Sequence, residues 1–178
     1  MNDDRTPLVQ QLTLFPSMMM TAELEHGSAP AAGMPRPRVT GMVAIVDDDP
    51  QISRALGVWL DLHALRASHH IAGESLLQVI RLQDGKPVMQ IGVSNPVSFP
   101  LVGVVLDLNL PGINGIELAR TLRRLAPTLP LVIVTALGNE DRRPYGPLPS
   151  GVCCLKKPFE LDELEAALFP QPRPETRA

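Results

Sequence analysis

Val43-Ala44-Ile45-Val46-Asp47-Asp48-Asp49-Pro50 sets an unbroken apolar run against three acids and a proline. Consecutive apolar residues without alternation mark a short strand buried on both faces. The run stops at charge. Asp49 before Pro50 reads as a helix N-cap with proline in the first turn. Ile52, Leu56, Trp59, Leu60 and His63 then recur at helical spacing, with Trp59 in the core and His63 on the amphipathic face. Strand, acidic break and helix make one βα unit, and the pattern recurs along the chain.

A weak strand is expected within residues 65–72, and His69 and His70 read as plain strand or loop residues. Leu76, Leu77, Val79, Ile80 and Leu82 define a second helix. Residues 84–100 hold Gly85, Pro87, Gly92, Pro96 and Pro100 and read as an insertion with room for a short strand. Val102–Leu106 is the next buried strand and ends at Asp107, followed by a Leu110-Pro111-Gly112 turn. Ile116, Ala119, Leu122 and Leu125 define a third helix, with Arg120, Arg123 and Arg124 on its solvated side. Pro130–Ala136 is another buried strand. Pro144, Pro147 and Pro149 rule out a long helix over 141–150. Val152–Leu155 is a strand, Pro158 breaks it, and Leu161, Leu164 and Leu168 make the last helix. Strands alternating with helices imply an α/β fold with a parallel sheet.

Composition sets the limits. The 178 residues carry 16 Lys+Arg against 19 Asp+Glu, a net charge of −3, which makes nucleic acid a poor default partner. Apolar residues are 44%, enough for one good core. No run of 18 apolar residues exists, so no membrane span is expected. Aromatics are only 3%, so the core must be aliphatic. Cys153 and Cys154 are adjacent, a spacing that suits neither a disulfide framework nor a metal site. They read as buried small hydrophobes in a reducing, cytoplasmic setting. No secretory signal pattern opens the chain. Residues 1–40, with five prolines and a Gly/Ala/Pro stretch at Gly27–Pro37, read as a disordered extension. Residues 42–169 form one domain, and the proline-rich 170–178 a disordered tail.

In an open parallel sheet the working site lies outside the carboxyl ends of the strands. There the chain delivers Asp47 and Asp48, then Asp107, then Thr135, then Lys157. Three carboxylates this close repel one another. Lys157 supplies one counter-charge, and the remainder calls for a hard divalent cation held by oxygen, which suits Mg²⁺. Such a site handles phosphate. An aspartate can be the nucleophile that accepts a phosphoryl group, and a metal with a lysine would neutralise charge on the transferring oxygens.

Four segments taken in order, Val43–Pro50, Val105–Gly112, Val134–Ala136 and Lys156–Phe159, resemble the receiver domain of bacterial two-component response regulators. The resemblance covers nearly all of residues 42–169. It implies a doubly wound five-stranded sheet of flavodoxin-like order 2-1-3-4-5. It implies Asp107 as phosphoacceptor, and Asp47, Asp48, Asp107 and the backbone carbonyl of Asn109 as Mg²⁺ ligands. Thr135 and Lys157 would contact the phosphoryl group. The donor would be a phosphohistidine on a sensor histidine kinase or a histidine phosphotransfer protein. Self-catalysed phosphorylation and dephosphorylation of the aspartate would be the only enzymatic activity. Family members usually carry an aromatic switch residue three positions before the lysine, and here that position is Cys154. The fourth helix is expected to be shortened or broken, and little chain follows the last helix.

The reading is a cytoplasmic single-domain response regulator that signals by protein–protein contact to an output protein the sequence does not name. One rival is a receiver-like interaction module that works without phosphorylation, suggested by Cys154 and the broken helix. Another is a hydrolase with an aspartate nucleophile. It is disfavoured because Asn109, two residues after Asp107, is not a second acid.

Overall fold

The computed structural model describes residues 40–138 and 141–170. Apart from Thr40 and Pro170, the expected extension and tail lie outside the described residues. Strand β1 (Met42–Val46) pairs in parallel with β2 (Arg66–His70) on one side and with β5 (Val97–Asp107) on the other. β5 pairs on with β6 (Leu131–Thr135), and β6 with β7 (Val152–Lys156), again in parallel. The parallel ladder is therefore β2-β1-β5-β6-β7, the expected 2-1-3-4-5 order counted over parallel strands.

Helices α1 (Pro50–Leu62), α2 (Gly73–Val79), α3 (Gly115–Leu125) and α4 (Leu161–Leu168) cover the sheet. Strand alternation sends Ala44, Val46, Val104, Leu106 and Ile133 to one face, where they meet Leu76 of α2 and Ile116, Ala119 and Leu122 of α3. Val43, Ile45, Val105, Val132 and Val134 go to the other face, against Leu56, Trp59 and Leu60 of α1 and Leu164 and Leu168 of α4. Each such buried Val, Leu or Ile side chain contributes about 2 kcal/mol. Asp49 caps α1, accepting from the Gln51 N–H at 2.8 Å, with Pro50 in its first turn. Between β6 and β7 the described residues hold only a 3-10 turn, Arg143–Tyr145, as the prolines demand.

Two expectations fail in the same place. The second helix stops at Val79. Ile80 and Leu82 belong instead to β3 (Ile80–Gln83), which pairs antiparallel with β4 (Lys86–Ile91). The supposed insertion is thus mostly strand, since β4 pairs antiparallel with the first part of β5, Val88 opposite Pro100 and Ile91 opposite Val97. The cause is the Asp84-Gly85 turn. Both residues have positive φ, 51° and 72°, the geometry of a tight hairpin whose twist matches its strands. Ile80 and Met89 at the root of the hairpin are buried in the first core layer, which fixes its base. The strand expected at Val102–Leu106 consequently starts five residues earlier, at Val97.

Candidate functional site

Register brings the acids together. Val46 of β1 lies opposite Leu106 of β5, so Asp47 and Asp107 leave the ladder as neighbours. Both continue the alternation of Val43, Ile45 and Val105, and so face the α1/α4 side. Both are buried. Two adjacent buried carboxylates need a counter-charge, and Lys157, just past β7, supplies it. Its Nζ lies 2.9 Å from Asp47 Oδ2 and 2.8 Å from Asp107 Oδ1. The remaining oxygens are held by the main chain. Asp47 Oδ1 accepts from the Asp49 N–H at 2.9 Å, and Asp107 Oδ2 from the Asn109 N–H at 2.6 Å.

The electrostatics follow from burial. Burial pushes the Asp47 carboxyl above its ordinary value of 3.8, and the bonds from Lys157 and from the Asp49 N–H only partly offset it. Burial alone would lower Lys157, but its hydrogen bonds to Asp107 and Asp47 outweigh that and hold the ammonium above the ordinary lysine value of 10.5. Lys157 is therefore charged at neutral pH.

The other expected residues stand around this triad. Asp48 is exposed. With Asp47, Pro50, Arg54, His69 and His70 it lines a shallow cleft of about 270 Å³. Thr135 is buried at the end of β6. Its Oγ1 accepts from the Leu137 N–H at 3.0 Å and its carbonyl accepts from the Lys157 N–H at 2.7 Å. A hydroxyl that accepts one bond still has its own proton to donate. Asn109 is exposed beside Asp107, and Lys156 is exposed on β7. The loop after Asp107 is anchored at its far end, where Glu74 accepts from the Ile113 N–H at 3.0 Å and Asn114 caps α3.

The donor set can be tested against a magnesium ion. Asp47, Asp48 and Asp107 bring three carboxylates of hard oxygen, and Lys157 neutralises one, leaving two negative charges for a divalent cation. No group of three acid, imidazole or thiol side chains closes as a ready cage among the described residues. The ammonium stands where such a cage would close, between Asp47 and Asp107. The residues present therefore fit an oxygen-bound cation that keeps several waters, and do not fit a tight all-protein cage.

Several sequence readings change. Cys153 is exposed, not buried, because β7 is the edge strand of the parallel sheet. Cys154 is half-buried; burial pushes its thiol up against the opposing pull of Arg142, whose Nη1 lies 2.8 Å from Sγ. It is thus held as a thiol, not a reactive thiolate. Arg120 and Arg123 do not lie on a merely solvated face. Arg120 Nη2 donates to the Pro147 carbonyl at 3.0 Å, and Arg123 Nη2 to the Gly151 carbonyl at 3.1 Å. They clamp the segment that replaces a helix. His63 lies past α1 as its C-cap, its ring 4.7 Å from that of Trp59. His70 is buried and bonds to Ser68 and Ser75 hydroxyls. Burial lowers it to about 4, so it is neutral at pH 7. One site residue has no signal in the sequence: Tyr145, whose hydroxyl donates to Asn109 Oδ1 at 2.7 Å across 36 positions.

Comparison with known proteins places this geometry. The family model of the response regulator receiver domain matches residues 43–169. The phosphate regulon transcriptional regulatory protein PhoB of Rhizobium meliloti is 30% identical over 138 residues, covering 75% of this chain and 54% of that protein. The chain spans about half, or less, of the length of the curated relatives it matches. The non-phosphorylated HemR receiver domain of Leptospira biflexa superposes with a TM-score of 0.54 at 24% identity, over 75% of this chain and 98% of that one. The receiver domain of sensor histidine kinase PA1611 of Pseudomonas aeruginosa, solved with a magnesium ion in its active site cleft, gives 0.53 at 18%, over 72% and 93%.

Proposed function

The chain belongs to the response regulator receiver domain family, and on that premise we propose that Asp107 accepts a phosphoryl group from a phosphohistidine in a two-component phosphorelay. The observation that carries the proposal is the Lys157 ammonium bridging two buried carboxylates at strand ends, 2.8 and 2.9 Å away. Asp107 takes the role of nucleophile by its place in the family's motif at the end of β5, with the Asn109 N–H and Lys157 on its two oxygens. A carboxylate oxygen of Asp107 attacks phosphorus, the P–N bond breaks, and its electron pair returns to the imidazole. Lys157 neutralises charge on the phosphoryl oxygens, and the Thr135 hydroxyl donates a hydrogen bond to one of them. Asp47, Asp48, Asp107 and the Asn109 carbonyl would hold Mg²⁺, which when bound supplies further neutralisation of the transferring oxygens. Hydrolysis later returns the free aspartate.

The donor in this proposal is a sensor histidine kinase or a histidine phosphotransfer protein, in the cytoplasm. Among the described residues no helix is long and apolar enough to cross a membrane. Output passes to a protein partner and not to nucleic acid, in keeping with the net charge of −3. The bistable element is the clamped segment 141–151, which a new charge at Asp107 would bias. A second reading, a module that works without phosphorylation, draws support from the segment's lack of a helix and from Cys154 held by Arg142.

Intact mass after incubation with a small-molecule phosphodonor and Mg²⁺ tests the proposal. One added phosphoryl group is expected, absent in Asp107→Asn and absent with EDTA. No adduct from either the small donor or a phosphohistidine donor, together with no Mg²⁺ binding, would favour the second reading.

A further inference from the structure

We propose that Tyr145 is a positioning residue for the chemistry at Asp107 and acts through Asn109; the proposal rests on the phosphoacceptor reading above. Asn109 is held twice. Its backbone N–H donates to Asp107 Oδ2 at 2.6 Å, and its side-chain Oδ1 accepts from the Tyr145 hydroxyl at 2.7 Å. The residue that orients one oxygen of Asp107 is thereby tied to a separate segment of the chain.

That segment is tied to the fold at several points. Tyr145 is half-buried and packs against the first core layer. Its N–H donates to the Arg142 carbonyl at 3.0 Å, and the Arg120 clamp at Pro147 lies two residues on. Asn109 by contrast is exposed, and an exposed asparagine side chain without a partner samples several rotamers. The Tyr145 hydroxyl selects one of them. The exposed carboxamide, two residues from buried Asp107, is then held toward segment 141–151.

Its position bears on the lifetime of the phosphoryl group. In hydrolysis, water oxygen bonds to phosphorus and the bond from phosphorus to the Asp107 oxygen breaks. The electron pair of that bond returns to the carboxylate, inorganic phosphate leaves, and the proton from water goes to solvent. The attacking water must enter from the exposed side, where Asn109 lies. A fixed carboxamide narrows that approach, and a released one opens it. Tyr145 therefore prolongs the phosphorylated state and connects its lifetime to segment 141–151.

The test is a double-mutant cycle on wild type, Tyr145→Phe, Asn109→Ala and the double variant. Each is phosphorylated with a small-molecule donor and Mg²⁺, freed of donor, and followed by intact mass. Tyr145→Phe keeps the ring and is expected to shorten the lifetime about fivefold, the scale of one hydrogen bond worth ~1 kcal/mol. In the Asn109→Ala background the same change is expected to do nothing. A lifetime in Tyr145→Phe equal to or longer than wild type overturns the proposal, as does an equal factor in both backgrounds. Wild type that takes up no phosphoryl group overturns the phosphoacceptor reading and this proposal with it, a result separable from uptake with equal lifetimes. A thermal melt of each variant guards against loss of fold.

Discussion

The two halves of β5 share one strand and almost nothing else. Gly103 to Asp107 sits between β1 and β6 in a parallel ladder, covered on both faces, and ends at the proposed phosphoacceptor. Val97 to Pro100 pairs antiparallel with β4, and Val97, Ser98 and Pro100 are exposed. The difference teaches where positional accuracy comes from. Asp107 is set by neighbours on every side, so its carboxylate meets Lys157 within hydrogen-bond distance. The hairpin end is set by one turn and by the buried Ile80 and Met89 at its root, so its sequence is free to vary without moving the acids.

Substitutions should expose the same asymmetry, the deepest first. Leu106→Ala removes a fully buried side chain next to Asp107, and a loss of about 3 kcal/mol in chemical denaturation is expected. Gly115→Ala should cost about 2 kcal/mol, because its new Cβ would run into the backbone oxygen of Asp107 and lie 3.0 Å from Leu108 Cα. It should also slow phosphoryl uptake, which the mass assay reads directly. Gly85→Ala meets no atom within 4 Å, so its cost is only that of a side chain at φ +72°, about 1 kcal/mol. Hydrogen exchange should then rise across 80–91 and stay unchanged in β1. Val97→Ala, at a 55% exposed position, should shift stability by less than about 0.5 kcal/mol. Equal effects at Leu106 and Val97 would erase the contrast.

The sequence disclosed one half of β5 far better than the other, for a physical reason. Runs such as Val43–Val46 and Val102–Leu106 are legible because a strand buried on both faces has no polar option, and the acids that end them mark the sheet edge. That logic leads to a parallel sheet and to the proximity of Asp47, Asp107 and Lys157, while the strand order comes only from the family resemblance. The hairpin is obscured although Asp84-Gly85 is a strong turn signal, because four nearby prolines and glycines imitate irregular chain. Ile80 fits a helix face as well as a strand, and only its pairing with Met89 decides. Contacts between distant segments leave no local pattern at all. Tyr145 on Asn109, and the arginines on Pro147 and Gly151, come from tertiary placement.

Lys157 has a further consequence. Its ammonium is tethered to the chain just beyond β7 and cannot diffuse away, so it faces the two carboxylates at an effective concentration of millimolar order or more. Bulk monovalent salt competes poorly with an ion pair that is both tethered and sheltered from solvent. The Asp47–Lys157–Asp107 cluster is thereby insulated from swings in ionic strength, whereas exposed Asp48 is not. A mobile cation gains a foothold there only by bringing more charge than the lysine already provides.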